Sequence, residues 1–535
     1  MSSTVLPATL RKRRRRLSLR RLAAGLVACA TDRYDASALV LGFAAVHALL
    51  WTVILTNLKA AQDVHMDVAE AFAWGQKFQL GYGKHPPLAG WIAGLWFKMF
   101  PAADWASYLL AMTTVACGLV ICWFIALRVV DYRRAFFVVV MLAIYPIFNF
   151  KGFKYNPDLL QLVTLPLLVL AYLDAFEKRS VRAGVLLGLA GALALMTKYW
   201  VLTMIGAIGL AALLHPDRAR FLRSPAPWVA IVVAIVAMIP HLNWLRQVDF
   251  VPLTYAGDIY GHFTRAQTAT LVLGYVEHNL GLLVLPVLIA GLALVGLNLR
   301  RPFTALARCW TPGANPGVNT PQAINVWVIQ SIVAIGPPLG GLIFSVYMKT
   351  DWGISLFFLV PLALIASPRL RLPAIALFRI SAAWLLLTLA TLAASPTIAL
   401  HEITDNPSAG FAYGARAQLA RDLTQEWQAR FHSRWPVVAG TTEIGEPMTF
   451  YSPDHPAPLT PDEVWSSGLT SLEEAKRVGF IGICDTTDNR LPLCEAWMAK
   501  NAKNAEKLAV TTQRFFKGHP GPPTTFKIYI EPPAK

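Results

Sequence analysis

The sequence predicts a polytopic α-helical membrane protein that ends in a small α/β domain. Three observations carry this. The 535 residues are 55% hydrophobic and only 15% charged, whereas soluble domains carry about 25% charged residues. Apolar runs of roughly 20 residues recur along the chain, the length that crosses a bilayer core. The pattern then stops: residues 401–535 have ordinary soluble composition, with 14 basic and 16 acidic side chains, while the rest of the chain carries a net charge of +19. The basic character therefore belongs to the membrane part and its loops.

Residues 1–36 are expected to form a basic cytoplasmic or interfacial segment. The run Arg11-Lys12-Arg13-Arg14-Arg15-Arg16, followed by Arg20 and Arg21, suits anchoring to anionic headgroups. Nucleic-acid binding would need an aromatic or helical recognition pattern that does not accompany the run. Arg20 to Cys29 resembles a short signal peptide ending Leu26-Val27-Ala28-Cys29. Cleavage there would invert the first span, so an uncleaved amphipathic segment at the inner surface is expected.

The candidate spans are 37–57, 104–128, 135–150, 159–176, 183–198, 199–214, 226–244, 270–298, 323–347, 353–367 and 374–395. The membrane unit is thus residues 37–398, with about eleven helices. Pro166, Pro240, Pro286, Pro337, Pro338 and Pro361 lie within spans, where neighbouring helices or waters can satisfy the freed backbone. Basic loops follow at Arg128 with Arg133-Arg134, Lys178-Arg179 with Arg182, Arg218 with Arg220 and Arg223, Arg300-Arg301 with Arg308, and Arg369 with Arg371. Alternating spans put them all on one side, so the positive-inside rule makes the amino terminus cytoplasmic. The loops 58–103 and 149–158 and the tail 399–535 are then periplasmic.

Two loops on that outer side hold the informative residues. The first contains His65-Met66-Asp67-Val68-Ala69-Glu70-Ala71-Phe72-Ala73-Trp74 and, after a stretch with helical character, Gly81-Tyr82-Gly83-Lys84-His85-Pro86-Pro87-Leu88. The second contains Lys154-Tyr155-Asn156-Pro157-Asp158 before an apolar helix. Gly188 to Tyr199 and Ser224 to Trp244 supply further similar stretches. As a set these resemble the lipid-phosphosugar-dependent membrane glycosyltransferases of the GT-C type. That class includes protein O-mannosyltransferases, lipid A aminoarabinose transferases and bacterial galacturonosyltransferases. The resemblance covers residues 37–300 and implies that Asp67 falls on the family's acidic position. Val68 stands where the next Glu is usual, with Glu70 nearby as a substitute. Asp158 matches the acidic residue of the second loop. A helix amino-terminal cap is the alternative reading of Asn156-Pro157-Asp158.

The resemblance implies an inverting transfer of a sugar from a polyprenyl-phosphate donor to an acceptor hydroxyl or phosphate. A carboxylate, Asp67, would take the acceptor proton. Positive charge would stabilise the leaving phosphate. Candidates are Lys84, His85 and Lys349, with Lys154, Lys198 and Arg246 as further contacts. Lys198 reads equally as a snorkelling lysine at a span edge. Where many aminoarabinose transferases have Glu-Lys-Pro-Pro, this chain has Lys84-His85-Pro86-Pro87, which argues against aminoarabinose as donor. The sequence assigns no cofactor outright and leaves a divalent cation possible. His65, His85, His241 and His262 could hold one, although a loop histidine is more often a hydrogen-bonding group. Nucleotide hydrolysis and metalloprotease chemistry find no motif.

In the tail, Gln418 to His432 and Ser471 to Arg477 read as helices. Trp435 to Gly440, Val478 to Cys484 and Thr525 to Ile530 read as strands. Cys29, Cys117, Cys122 and Cys309 are expected as packing residues. Cys484 and Cys494 bracket a polar loop and suit a disulfide in an oxidising compartment. The expected protein is a monomer of the bacterial inner membrane that modifies lipid A, lipopolysaccharide or another envelope glycan and binds no nucleic acid. A protein O-glycosyltransferase of the same fold is the near alternative. A polyprenyl-linked sugar flippase should show internal repeats or paired broken helices, and a scaffold would not need these charges at one membrane face.

Overall fold

The computed structural model describes residues 19–260, 263–296, 309–310, 317–405, 414–461 and 469–534. The Arg11–Arg16 run, the basic residues Arg300, Arg301 and Arg308, and His262 lie outside the described residues.

Among the described residues seven helices are long and apolar enough to cross a bilayer: Arg33–Leu58, Asp104–Val129, Pro157–Lys178, Pro225–Gln247, Arg265–Val295, Thr320–Phe344 and Ala374–Asp405. Even the shortest, with 22 residues, reaches about 33 Å at 1.5 Å per residue, enough for a core of about 30 Å. The other four expected spans fall on shorter elements: Tyr132–Ile144, Val181–Leu195, Leu202–Leu214 and the segment Thr350–Leu359 with Val360–Ile365. Their shortness has a local cause. The 183–214 stretch breaks at Met196 to Val201 because the carbonyl of Met196 turns away to accept the N–H of Leu88, at 3.0 Å. Pro361 sits in the first turn of its helix, where no donor is missed. The segment before it, Thr350–Leu359, is a 3-10 helix. The Pro157–Lys178 helix is central, with 78% of its apolar stretch buried against 22% for Pro225–Gln247.

The first external loop folds into two helices, Met66–Gly75 and Leu88–Trp96. They cross at two glycines, and a Cβ on Gly75 would lie 2.5 Å from the backbone nitrogen of Gly94. No side chain fits there, so the crossing fixes how the Asp67 helix sits on the bundle.

The tail is a three-layer α/β unit. Its strands are β1 (Val437–Ala439), β2 (Ala457–Leu459), β3 (Phe480–Asp485), β4 (Glu506–Thr512), β5 (Phe515–Phe516), β6 (His519–Pro520) and β7 (Thr524–Glu531). Five of them form a mixed sheet in the order β2-β1-β3-β7-β4, while β5 and β6 make a separate hairpin. The β1 strand is parallel to β2 and β3, and β7 is antiparallel to β3 and β4. Alternate residues of a strand face opposite sides. Ile481 and Ile483 therefore pack with Leu423, Trp427 and Met448 on one face, and Phe480 and Cys484 pack with Cys494 and Met498 on the other. A disulfide joins Cys484 to Cys494, with Cα atoms 5.8 Å apart. The span between them is less loop-like than its polarity suggests, since Leu491–Asn501 is a helix.

The tail docks on the first loop. The helix Thr442–Tyr451 lies against Met66–Gly75, with Phe450 edge-on to Phe72 at 5.2 Å and to Phe97 at 5.7 Å. The Tyr451 hydroxyl accepts the N–H of Val64 at 2.6 Å and donates to Asp104 at 2.9 Å. Asp63, wholly buried, accepts from Arg514 Nη1 at 2.6 Å and from the Arg416 N–H at 3.1 Å.

Candidate functional site

Asp67 stands in the first turn of Met66–Gly75. The N-cap is His65, whose Nδ1 accepts the Asp67 N–H at 3.2 Å. A carboxylate in a first turn gains from the helix dipole. The Asp67 Oδ2 accepts from Asn156 Nδ2 at 2.8 Å and lies 3.6 Å from Lys154 Nζ, while Oδ1 is 3.8 Å from His65 Nδ1. Burial alone would raise the Asp67 pKa. His65, Lys154, Lys84 and the Asn156 hydrogen bond outweigh it and hold the carboxyl well below the usual range. Asp67 is therefore ionised at any physiological pH.

The second loop meets the first through Asn156. Its Oδ1 caps the Pro157–Lys178 helix by accepting the Leu159 N–H at 2.9 Å, while its amide holds Asp67. The cap role considered for Asp158 thus falls to Asn156. Asp158 instead accepts from Lys198 Nζ at 2.6 Å and from Gln161 Nε2 at 3.0 Å. Lys198 is not snorkelling into solvent: only 10% of its side chain is exposed, and it lies 5.3 Å above the Trp352 ring. The ion-pair chain continues from Lys154 to Asp351, at 3.9 Å, and Asp351 is in turn 3.7 Å from Lys151 and 3.5 Å from His278.

Glu70, 5% exposed, contacts Lys84. Burial would lower the Lys84 pKa, but Glu70, Glu446 and Asp67 raise it above the ordinary lysine value. Lys84 is thus a fixed cation. Glu446 is fully buried in the tail helix Thr442–Tyr451, so the tail contributes charge to this part of the site. His85 packs edge-on to Trp74 at 5.8 Å. Burial first, then the nearby Lys198 and Lys84, push its pKa well below the histidine range, so it is a neutral imidazole. Lys349 is exposed and forms no ion pair among the described residues, yet it lies close enough to His65 and His85 to disfavour their protonation.

An apolar cavity of about 340 Å³ runs beside this cluster between Leu202–Leu214 and Thr320–Phe344. Its lining includes Trp200, Val346 and Met348, and the Trp200 ring is 5.1 Å from that of Trp352. The cluster therefore joins a charged face to a greasy groove.

The structure bears on two further readings of the sequence. Of the described histidines, His241 has both ring nitrogens engaged, Nδ1 with the Leu80 carbonyl at 2.7 Å and Nε2 with the Tyr199 hydroxyl at 3.0 Å. Among the described residues no group of three His, Cys, Asp or Glu side chains could hold a metal ion. Arg246 is exposed at the end of its helix, and no ion pair ties it to the cluster among the described residues. Sequence reasoning missed Asn156, Asp351 and Glu446. The first lay inside the quoted Asn156-Pro157-Asp158 motif and the second two residues after Lys349, but nothing in the tail pointed to Glu446.

A family model described as dolichyl-phosphate-mannose-protein mannosyltransferase matches residues 84–244. It begins at Lys84, so Asp67 lies before it. The lipid A galacturonosyltransferase RgtD of Rhizobium johnstonii is 28% identical over 233 residues, 41% of this chain and 45% of that protein. The match therefore spans less than half of that relative's length. ArnT from Cupriavidus metallidurans bound to undecaprenyl phosphate superposes with a TM-score of 0.55 at 14% identity, covering 92% of this chain and 98% of that one. Its apo state gives 0.55 at 13%. The resemblance read from the loops thus extends to a fold that includes the tail.

Proposed function

We propose that this chain is an inverting, polyprenyl-phosphosugar-dependent glycosyltransferase that modifies lipid A or a related envelope glycan. The observation that carries the reading is one constellation: Asp67 and Asp158, each paired with a lysine, at the end of an apolar groove. The donor's isoprenoid chain would lie in the groove beside Trp200 and Met348, and its phosphate would meet Lys349 and Lys198. The acceptor oxygen attacks the anomeric carbon as the bond from that carbon to the phosphate oxygen breaks. The acceptor proton passes to Asp67, and the polyprenyl phosphate leaves with the lysines opposite its charge.

A carboxyl held so acidic is a weak base in the resting site. Entry of the donor phosphate corrects this. Lys154 sits between Asp67 and Asp351, and a phosphate drawing it away removes one of the charges that depress Asp67, beside those of His65 and Lys84. Basicity then rises when the donor is bound. Asp158 keeps Lys198 in place, and Glu70 with Glu446 does so for Lys84.

The same reading sets the orientation. The basic residues Arg128 and Lys178 converge on Asp174, and Arg134 Nη2 donates to the Leu370 carbonyl at 2.7 Å. They gather at the helix ends opposite Asp67 and Asp158, and the positive-inside rule makes that end cytoplasmic. Site and tail are then periplasmic, in a multi-pass protein of the bacterial inner membrane acting as a monomer. The match to a protein mannosyltransferase model favours a protein acceptor as the second reading. Mass spectrometry of lipid A from a deletion strain tests the choice. Loss of a glycosyl substituent, restored by the wild-type gene and not by Asp67→Asn, is the expected result. Unchanged lipid A beside under-glycosylated periplasmic protein would replace it with the second reading.

A further inference from the structure

A second cavity, of about 930 Å³, opens towards the basic end of the bundle. Its walls are apolar. Leu186, Leu189, Leu193 and Met196 line it from one side of the Val181–Leu195 helix and its end, facing Leu167 and Leu170 of the Pro157–Lys178 helix. The i, i+3, i+7 spacing makes one continuous stripe. Leu186 is 49% exposed and Leu189 48%, so the groove is open to the bilayer. From Leu186 to Met196 it runs about 15 Å at 1.5 Å per residue, half of a hydrocarbon core of about 30 Å. That is the depth of one leaflet.

The end of the groove is charged. Arg33, Arg128, Tyr132, Asp174 and Lys178 line it. Arg128 is occupied by Asp174 and by Glu177, the latter at 3.5 Å, and Lys178 shares Asp174 at 2.9 Å. Arg33 is exposed and forms no ion pair among the described residues. Three cations therefore face two carboxylates, and the positive excess lies where a phospholipid headgroup would sit above its acyl chain. Basic pockets between membrane helices on this side recognise anionic headgroups in this way. We propose that the groove is a binding site for one anionic phospholipid of the leaflet facing the basic loops. Its phosphate lies between Arg33 and Lys178, with the Tyr132 hydroxyl as a further donor, and an acyl chain follows the leucine stripe. This site is separate from the Asp67 cluster and does not rest on the proposed transfer reaction.

The experiment uses the full-length protein extracted from bilayers containing equal amounts of phosphatidylglycerol and phosphatidylcholine. Native mass spectrometry reads the ratio of the two lipids retained. Wild type should retain phosphatidylglycerol in preference. Arg33→Gln with Lys178→Gln should lower that preference by about fivefold per cation removed. Arg220→Gln with Arg223→Gln, on another basic loop, should leave it unchanged. Both positions in the test pair are exposed, so the variant folds, and an unchanged circular-dichroism spectrum checks this. Equal retention of the two lipids by wild type would overturn the proposal, as would a preference that survives in the Arg33/Lys178 variant. An equal loss in the Arg220/Arg223 control would also sink it, because the effect would then belong to surface charge in general.

Discussion

Replacing Asp67 by Asn separates chemistry from architecture. The substitution keeps the shape of the side chain and an oxygen that can accept from Asn156, now at 2.8 Å. It removes the charge facing Lys154 at 3.6 Å. The gross Coulomb attraction at that distance is about 4–5 kcal/mol for an effective dielectric of about 20. Lys154 is not orphaned, however, because Asp351 remains 3.9 Å away. The net loss should therefore be about 1 kcal/mol, the size expected of a partly exposed pair, and Tm should fall by no more than a few degrees. A general base contributes roughly 10²–10⁴ in rate, or about 2.7–5.5 kcal/mol on the barrier. Turnover should fall far more than stability. The assay compares initial rates of transfer from a polyprenyl phosphosugar by purified wild type and variant in nanodiscs, with melting followed by tryptophan fluorescence. A variant turning over within about threefold of wild type refutes the assignment of the base. A variant whose melting transition collapses refutes the claim that the residue is held for chemistry alone.

Four further outcomes are expected. Asp63→Ala removes the buried carboxylate that Arg416 and Arg514 share, leaving Arg416 only Asp485 at 3.9 Å, which should cost about 3 kcal/mol and appear as faster proteolytic release of the tail from the membrane unit. Replacing both Cys484 and Cys494 by Ser should cost the tail about 2–3 kcal/mol through unfolded-chain entropy while changing turnover little; two alkylatable thiols in non-reduced protein would show that no bridge exists. His85 resists protonation when folded, so the unfolded chain takes up a proton that the native site does not. Stability should therefore decline as pH falls through the ordinary histidine range near 6.5, and His85→Gln should flatten that decline in a pH series of melting temperatures. A periplasm-dependent reporter fused after Lys535 should be active, whereas activity of a cytoplasmic reporter alone would invert the topology.

The legible parts of the fold were those with a strong local signal. Apolar runs gave away the long helices, and period-2 and period-3.6 patterns gave away Arg416–Phe431, β3 and β7. Thr442–Tyr451 was missed because Gly445 and Pro447 argue against a helix, yet packing on Met66–Gly75 overrides that propensity. The β2 strand hides behind Pro456 and Pro458, which a sheet tolerates at its edge, and the strand order places β2 at that edge. Leu491–Asn501 begins Leu-Pro-Leu and followed a polar stretch, so it read as loop. In the candidate site, Asp67 and Asp158 were visible through their motifs. Lys154 and Lys198 were legible as candidate contacts but not as the partners of these carboxylates, because Asp67–Lys154 and Asp158–Lys198 form only when distant segments come together. Glu446 has no local mark at all: a carboxylate in a soluble-looking tail gives no hint of a lysine more than three hundred residues earlier.

The docking of the tail on the first loop has a consequence for how the protein comes into being. Asp63 is held by Arg416, 353 positions later, and by Arg514, 451 positions later. Synthesis at about 5–20 residues per second leaves roughly 20–90 s between the two ends of the second contact. For that interval the segment leading to Asp67 has emerged without the groups that fix it. The chain is in effect a timer: the loop carrying the carboxylate is made first and finished last. A copy truncated after Met348 would hold every residue that lines the apolar groove beside Trp200, but its acidic loop would lack the two arginines that hold Asp63.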